Sequence, residues 1–316
     1  MSIWHREAGH YAGSGRIMSM TPISHHERGY VSLSPDLPSR MQMQLSDGHP
    51  LIVHADDFGE TAEITDGICE GIEAGVVTST SIVANMPATQ YALRRVRSLA
   101  ERASFGVHLN LCEGRPLTPG LSLVGPDGEF HGKRALIERA LLGKLSLREL
   151  EAEIVAQIAL VRDWGVTISH VDGHKHLHQL PNVSVVVAKV LPRFDIRRVR
   201  LMRTGSLTTS RKFATALREL AAWRAARVFG RAGLRSPARA VELTQLLPGG
   251  RPNRAPAALT DPHGPVELCC HPALAAAADG KASSHRRPDE LEYLLSDHFR
   301  QLLKMSRAQL VSYWQV

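Results

Sequence analysis

The chain has 316 residues, 43% hydrophobic and 22% charged, enough for one sizeable core or two smaller ones. No apolar run approaches the roughly 20 residues that span a bilayer, and the N-terminus MSIWHREAGHYAGSGRIMSM lacks the apolar core of a secretory signal, so a soluble cytoplasmic protein is expected. The net charge of +7 is local: Arg193 to Ala240 holds 13 Lys/Arg against 2 Asp/Glu, which is +11 and leaves −4 for the rest, so the molecule as a whole is not a basic nucleic-acid binder.

Residues 1 to about 48 carry scattered Gly, Ser, Pro and Met with no apolar period. They read as a disordered or loosely packed extension, with Met20, Met41 and Met43 as alternative starts. From residue 49 to 316 the order becomes regular. LIVHADD is a strand ending in polar residues. ETAEITDGICEGIEAG follows with Ile64, Ile68 and Ile72 at helical spacing and Gly75 as its stop. VVTSTSIVANM is strand-like, ATQYALRRVRSLAERA helical, and FGVHLNL a strand again. After a Pro-containing loop come helices around 133–142 and 146–164, the strand TISHVDGH and a helix near 182–193. RRVRLM, VELCCH and QLVSYWQV supply the last strands, with a helix near 288–304 before the final one.

Strands alternating with helices imply parallel βα units with right-handed crossovers. About seven strands in this length fit a closed or nearly closed α/β barrel, or a doubly wound open sheet; periodicity does not choose between them. The segment 203–262 fits the order least. Its basic helix SRKFATALRELAAWRAARVFGRAG has an apolar stripe of Phe213, Leu217, Leu220, Ala225 and Val228 and a second row of Arg224, Arg227, Arg231 and Arg235. It reads as an insertion or lid over the barrel mouth. Cys69, Cys112, Cys269 and Cys270 form no CxxC pair and read as reduced thiols.

Both architectures place chemistry at the C-terminal strand ends, where Asp56, Asp57, His108, Asp172, His174 and His271 fall. The densest feature is HVDGHKHLH. If it is extended, Asp172, His174, His176 and His178 share one face and offer the nitrogen and oxygen donors of a divalent-metal site; a solvated His-rich loop is the plainer alternative. Lys175 reads as solvent-facing. His108 alone would more often be a satisfied core histidine.

The chain from about Leu51 onward resembles the YdjC-like carbohydrate deacetylases, the ChbG/HpnK group. The resemblance rests on HADDFG, GVVTSTSIVANMP, FGVHLNLCEGRPLT, HVDGHKHLHQLP and ELCCHPA followed by RRPDELEYL, in that order. It implies a distorted, incomplete TIM-like (β/α) barrel, here with an Arg-rich helical insertion. It also implies removal of an N-acetyl group from an amino sugar, oligosaccharide or glycolipid with one divalent metal, Mg or Zn. By the same resemblance Asp57, His108 and His174 are metal ligands, Asp56 is the catalytic base and His271 the general acid. His176, His178 and Asp172 remain as candidates to brace the ligands or touch substrate. The family often has Gly after the late His-Pro, where this chain has Ala273.

Two other functions compete. One is a metal-dependent amidohydrolase or phosphoesterase on another small substrate, disfavoured because many phosphoesterases need more carboxylate ligands than one Asp-His-His set. The other is binding of an anionic surface through 193–240; a solvated helix face is the preferred reading of that segment. No nucleic acid and no integral membrane association are expected; a homodimer is compatible with the sequence.

Overall fold

The computed structural model describes residues 48–202, 212–247, 255–274 and 287–316. The expected N-terminal extension therefore lies outside the described residues, as do 203–211 and 248–254 of the expected lid.

Strand β1 (His49–Phe58) is followed by helix α1 (Ala62–Glu73), β2 (Ser79–Ile82), α2 (Thr89–Leu99) and β3 (Ser104–Leu109). Next come α3 (Gly132–Leu141), α4 (Leu147–Asp163), β4 (Ile168–Gly173) and α5 (Pro181–Val190). The remainder is α6 (Lys212–Arg231), β5 (Arg239–Glu242), α7 (Ala255–Ala258), β6 (Val266–Cys270), α8 (Arg287–Leu295), α9 (Asp297–Met305) and β7 (Ala308–Leu310). All seven strands join one parallel sheet in the order β4-β3-β2-β1-β6-β5, with β7 pairing the first residues of β1.

Local chemistry explains the elements. Thr61 caps α1 by accepting the Ile64 N–H, and Ile64, Ile68 and Ile72 form its buried stripe. Ser146 caps α4 in the same way through the Glu149 N–H. The strands are buried along nearly their whole length, as a parallel sheet covered by helices requires.

Several expectations change. RRVRLM is not a full strand. Val199 bridges Val171 of β4, and Arg198 bridges Arg235, both in parallel. These isolated bridges carry the pairing beyond β4 as far as Arg235, a thin and irregular continuation of the barrel-like sheet. The segment 203–262 is not wholly an excursion, because it contributes β5 to the sheet. The helix near 288–304 is two helices: Ser296 breaks it and caps α9 through the Phe299 N–H. QLVSYWQV is a strand only to Leu310, after which Ser312 caps a 3-10 turn over Tyr313–Gln315. In α6, Ala222, Ala225 and Phe229 are buried, whereas Leu220 is 58% exposed and leaves the expected apolar stripe. Leu220 lies on the same side of the helix as Arg224, Arg227 and Arg231, at spacings of four, seven and eleven. The four cysteines are free and buried, as expected.

Candidate active site

Adjacent residues of a regular strand point to opposite faces, so Asp56 and Asp57 could not both serve one site from an ideal β1. The register of β1 against β2 slips between Ala55 and Phe58, and Asp57 adopts φ of 72°. This bulge turns both carboxylates toward the C-terminal end of the sheet. Aspartate is one of the few residues that tolerates left-handed backbone.

Asp57 Oδ1 lies 3.3 Å from His108 Nε2 of β3 and 3.0 Å from His174 Nδ1, just past β4. The other Asp57 oxygen accepts a hydrogen bond from Arg287 at 2.7 Å. His108 Nδ1 is 2.9 Å from Asp172 Oδ1, a contact that fixes its N–H there and turns the Nε2 lone pair toward Asp57. With His108 neutral, its Nε2 lone pair and the Asp57 carboxylate face each other in a buried site, and a cation between them would satisfy both. Separations of 3.0 and 3.3 Å match the edges of an octahedron or tetrahedron with bonds of about 2.1 Å. The donor set Asp57, His108 and His174 therefore fits a divalent ion.

Asp56 is held differently. Arg200, fully buried, donates to both its oxygens at 2.7 and 2.8 Å. Burial alone would raise the Asp56 carboxyl, but the Arg200 guanidinium outweighs it and holds the group well below the usual carboxylate range. Arg200 also meets Asp172 at 3.0 Å and Glu267 at 2.7 Å. His271 Nε2 stands 3.7 Å from Asp56 Oδ2, and the His271 backbone N–H donates to Glu290 at 2.6 Å. Arg200, Arg287 and Glu290 all escaped the sequence reading. An arginine in RRVRLM or RRPDELEYL has no local pattern that marks it; only the fold brings it to the strand ends.

HVDGHKHLH does not form one extended face. β4 ends at Gly173, and a 3-10 turn over His174–Gln179 follows, with Lys175 and His176 at positive φ. Once the strand stops, alternation stops with it. Asp172 lies beneath the ligands, accepting from Ser81 and meeting His108. His176 reaches Glu242 at the end of β5, at 3.3 Å. His178 turns inward against the Arg200 carbonyl at 3.0 Å, and burial pushes it down to about 3. Lys175 pairs with Glu113 instead of simply facing solvent.

On the His174 side lies a small recess lined by Glu60, Val83, Met86, Asn110, Glu113 and His174. His174 Nε2 is 3.5 Å from Glu113. Burial would lower His174, but the charge of Asp57 together with hydrogen bonds to Asp57 and Glu113 lifts it to about 9. Glu60 is pushed up to about 7 by burial and then by Asp57. Among the described residues, no helix is long and apolar enough to cross a membrane.

The class of protein is thus an α/β fold with a parallel barrel-like sheet and a cluster of Asp and His side chains at its C-terminal edge. The family model for YdjC-like proteins matches residues 50–305, and the chain belongs to that family. A human carbohydrate deacetylase is 40% identical over 158 residues, 48% of this chain and 48% of that protein. One from Geobacillus stearothermophilus is 39% identical over 160 residues, 50% of this chain and 63% of the relative. The chain thus spans about half to three fifths of the length of these two relatives. A carbohydrate deacetylase of Vibrio vulnificus (strain YJ016) is 29% identical over 265 residues, 83% of this chain and 94% of that one. A crystal structure from Enterococcus faecalis V583, of a protein provisionally named for cellobiose-phosphate cleavage, superposes with a TM-score of 0.67 at 24% identity, covering 84% of this chain and 98% of that one. That last likeness shows the fold.

Proposed function

We propose that this chain is a carbohydrate deacetylase that hydrolyses an N-acetyl group on an amino sugar, an oligosaccharide or a glycolipid. The observation that carries the reading is the meeting of a trio and a pair of side chains at the C-terminal end of the sheet. Asp57 with His108 and His174 forms a cation cluster, and Asp56 with His271 stands beside it. The carbohydrate deacetylase names of the similar proteins support the substrate class.

In this reading Asp57, His108 and His174 hold one divalent ion. When bound, the ion supplies Lewis-acid polarisation of the acetyl carbonyl and a lowered pKa for water. Asp56 is the base. Arg200 keeps its carboxylate ionised and oriented, so a lone pair remains available for a water proton. His271 donates a proton to the leaving amine from Nε2, and Asp56 Oδ2 stabilises the charged ring. Asp172 holds the tautomer of His108, and Arg287 holds Asp57. Arg200 supplies the positive charge among Asp56, Asp172 and Glu267, which favours one ion over a two-ion phosphoesterase arrangement. Free buried thiols fit a reducing compartment, the cytoplasm.

The test is acetate release from a panel of N-acetylated sugars and glycolipids, with and without chelator and with Zn or Mg restored. Release that a chelator stops and a metal restores is the expected result. Release indifferent to chelator overturns the mechanism.

A further inference from the structure

The outward side of α6 is unusual for a helix that packs on a barrel. Among its described side chains Ala222, Ala225 and Phe229 are buried, with Phe229 stacked over His178, and Ala226 and Val228 pack partly buried against the core. Half a turn away, the outward side carries Leu220 and Trp223, then Arg224, Arg227 and Arg231. Leu220 is 58% and Trp223 51% exposed, although apolar residues were available to be placed inward. The Arg227 guanidinium lies 4.5 Å from the centre of the Trp223 ring, which holds the indole beside the cationic row.

We propose that this face of α6 docks the protein peripherally on an anionic lipid bilayer, with Trp223 and Leu220 entering the interface and Arg224, Arg227 and Arg231 meeting the headgroups. Charge complementarity selects the occupant. Arg224, Arg227 and Arg231 are exposed in one row along the helix, so attraction to a negative surface acts through this face. Exposed apolar residues separate a bilayer from a nucleic acid. A phosphate backbone would use the arginines but gain nothing from Leu220, whereas an interfacial helix uses both, and indole rings settle at the headgroup level. A purely solvated face would have no use for an exposed Leu-Trp pair one turn from three arginines. The binding is independent of the deacetylase reading and is measured without turnover.

The experiment is co-sedimentation of the full chain with vesicles of phosphatidylcholine alone or with about 30% phosphatidylglycerol, at about 0.15 M salt, the regime in which screening acts within about 8 Å. Binding to the anionic vesicles and not to the neutral ones is expected. Arg224→Gln with Arg227→Gln should weaken it by about 20-fold, taking about five-fold per charge. Leu220→Ser with Trp223→Ala should weaken it at least several-fold at unchanged net charge. Arg94→Gln with Arg97→Gln on α2, an exposed pair elsewhere, should leave it unchanged. Absence of binding by the unmodified chain overturns the proposal, as does equal loss in the α2 pair. Light scattering that shows a dimer dissolved by the Leu220/Trp223 change also overturns it, because a second copy would then cover the face.

Discussion

Arg200 is fully buried against Asp56, Asp172 and Glu267, and each of these carboxylates would be costly to bury alone. Arg200→Met leaves three negative charges with too little compensation. It should cost about 3–5 kcal/mol, read as a lower urea midpoint, and Arg200→Lys should recover little because an ammonium cannot grip Asp56 with two parallel bonds. The two adjacent aspartates separate in their effects. Asp57→Ala should abolish divalent-metal binding in calorimetry, whereas Asp56→Asn should keep the metal and lose about 10²–10⁴ in turnover; equal metal loss in both refutes the division. His178 gives a pH signature. Its value falls from 6.5 to about 3 on folding, so the folded protein excludes a proton that the unfolded chain accepts. The stabilisation is complete above pH 6.5 and is lost as pH falls toward 3. Urea midpoints at neutral pH and near pH 5 should therefore differ more for the unmodified protein than for His178→Gln. The apolar pattern places Asp57, His108 and His174 at or near strand ends together with Asp56, Asp172 and His271, and only the family resemblance singles out the three as a ligand set. The partners that orient them are not legible there, since Arg287 is 230 residues from Asp57 and only the fold joins them.

At the scale of elements, α1 and the segment after β6 meet unusually closely. A Cβ built on Gly67 would stand 2.5 Å from the Ala273 Cα and 2.7 Å from its carbonyl carbon, and that backbone cannot yield as a side-chain tip could. Gly67→Ala should push the His271-Pro272-Ala273 turn outward. A loss of about 1–3 kcal/mol on thermal melting is expected from overpacking, together with lower turnover as His271 leaves Asp56. The sequence marks α1 and β6 plainly, yet nothing in it shows that this glycine serves the neighbour more than its own helix. Long periodic elements were legible throughout, α4 and α6 among them. β5 was not, because Arg239-Ala240-Val241-Glu242 alternates too briefly to stand out from the Gly- and Pro-containing sequence around it. The extended reading of HVDGHKHLH failed for a related reason: alternation of His invites a strand, whereas the backbone turns at Lys175 and His176.

For the molecule as a whole, the cation cluster draws on β1, β3 and the turn after β4, so an ion at Asp57, His108 and His174 would tie three strands together. At a metal concentration of about 100 times Kd the linkage is worth about 2.7 kcal/mol. Removal by chelator should lower Tm by several degrees, and Asp57→Ala should melt at the same temperature with or without chelator. The same sheet has a temporal consequence. β1 is made early, yet its β6 edge pairs only with residues far downstream; Cys270 Sγ donates to the His54 carbonyl 216 residues away. At about 5–20 residues per second of synthesis, the Leu-Ile-Val-His-Ala edge waits on the order of 10–40 s on the ribosome without its native neighbour. An apolar strand held open for that long is a template for intermolecular pairing. The protein's yield in a cell should therefore depend on what shields that edge before residue 270 emerges, with ribosome-bound chaperones as the natural guard.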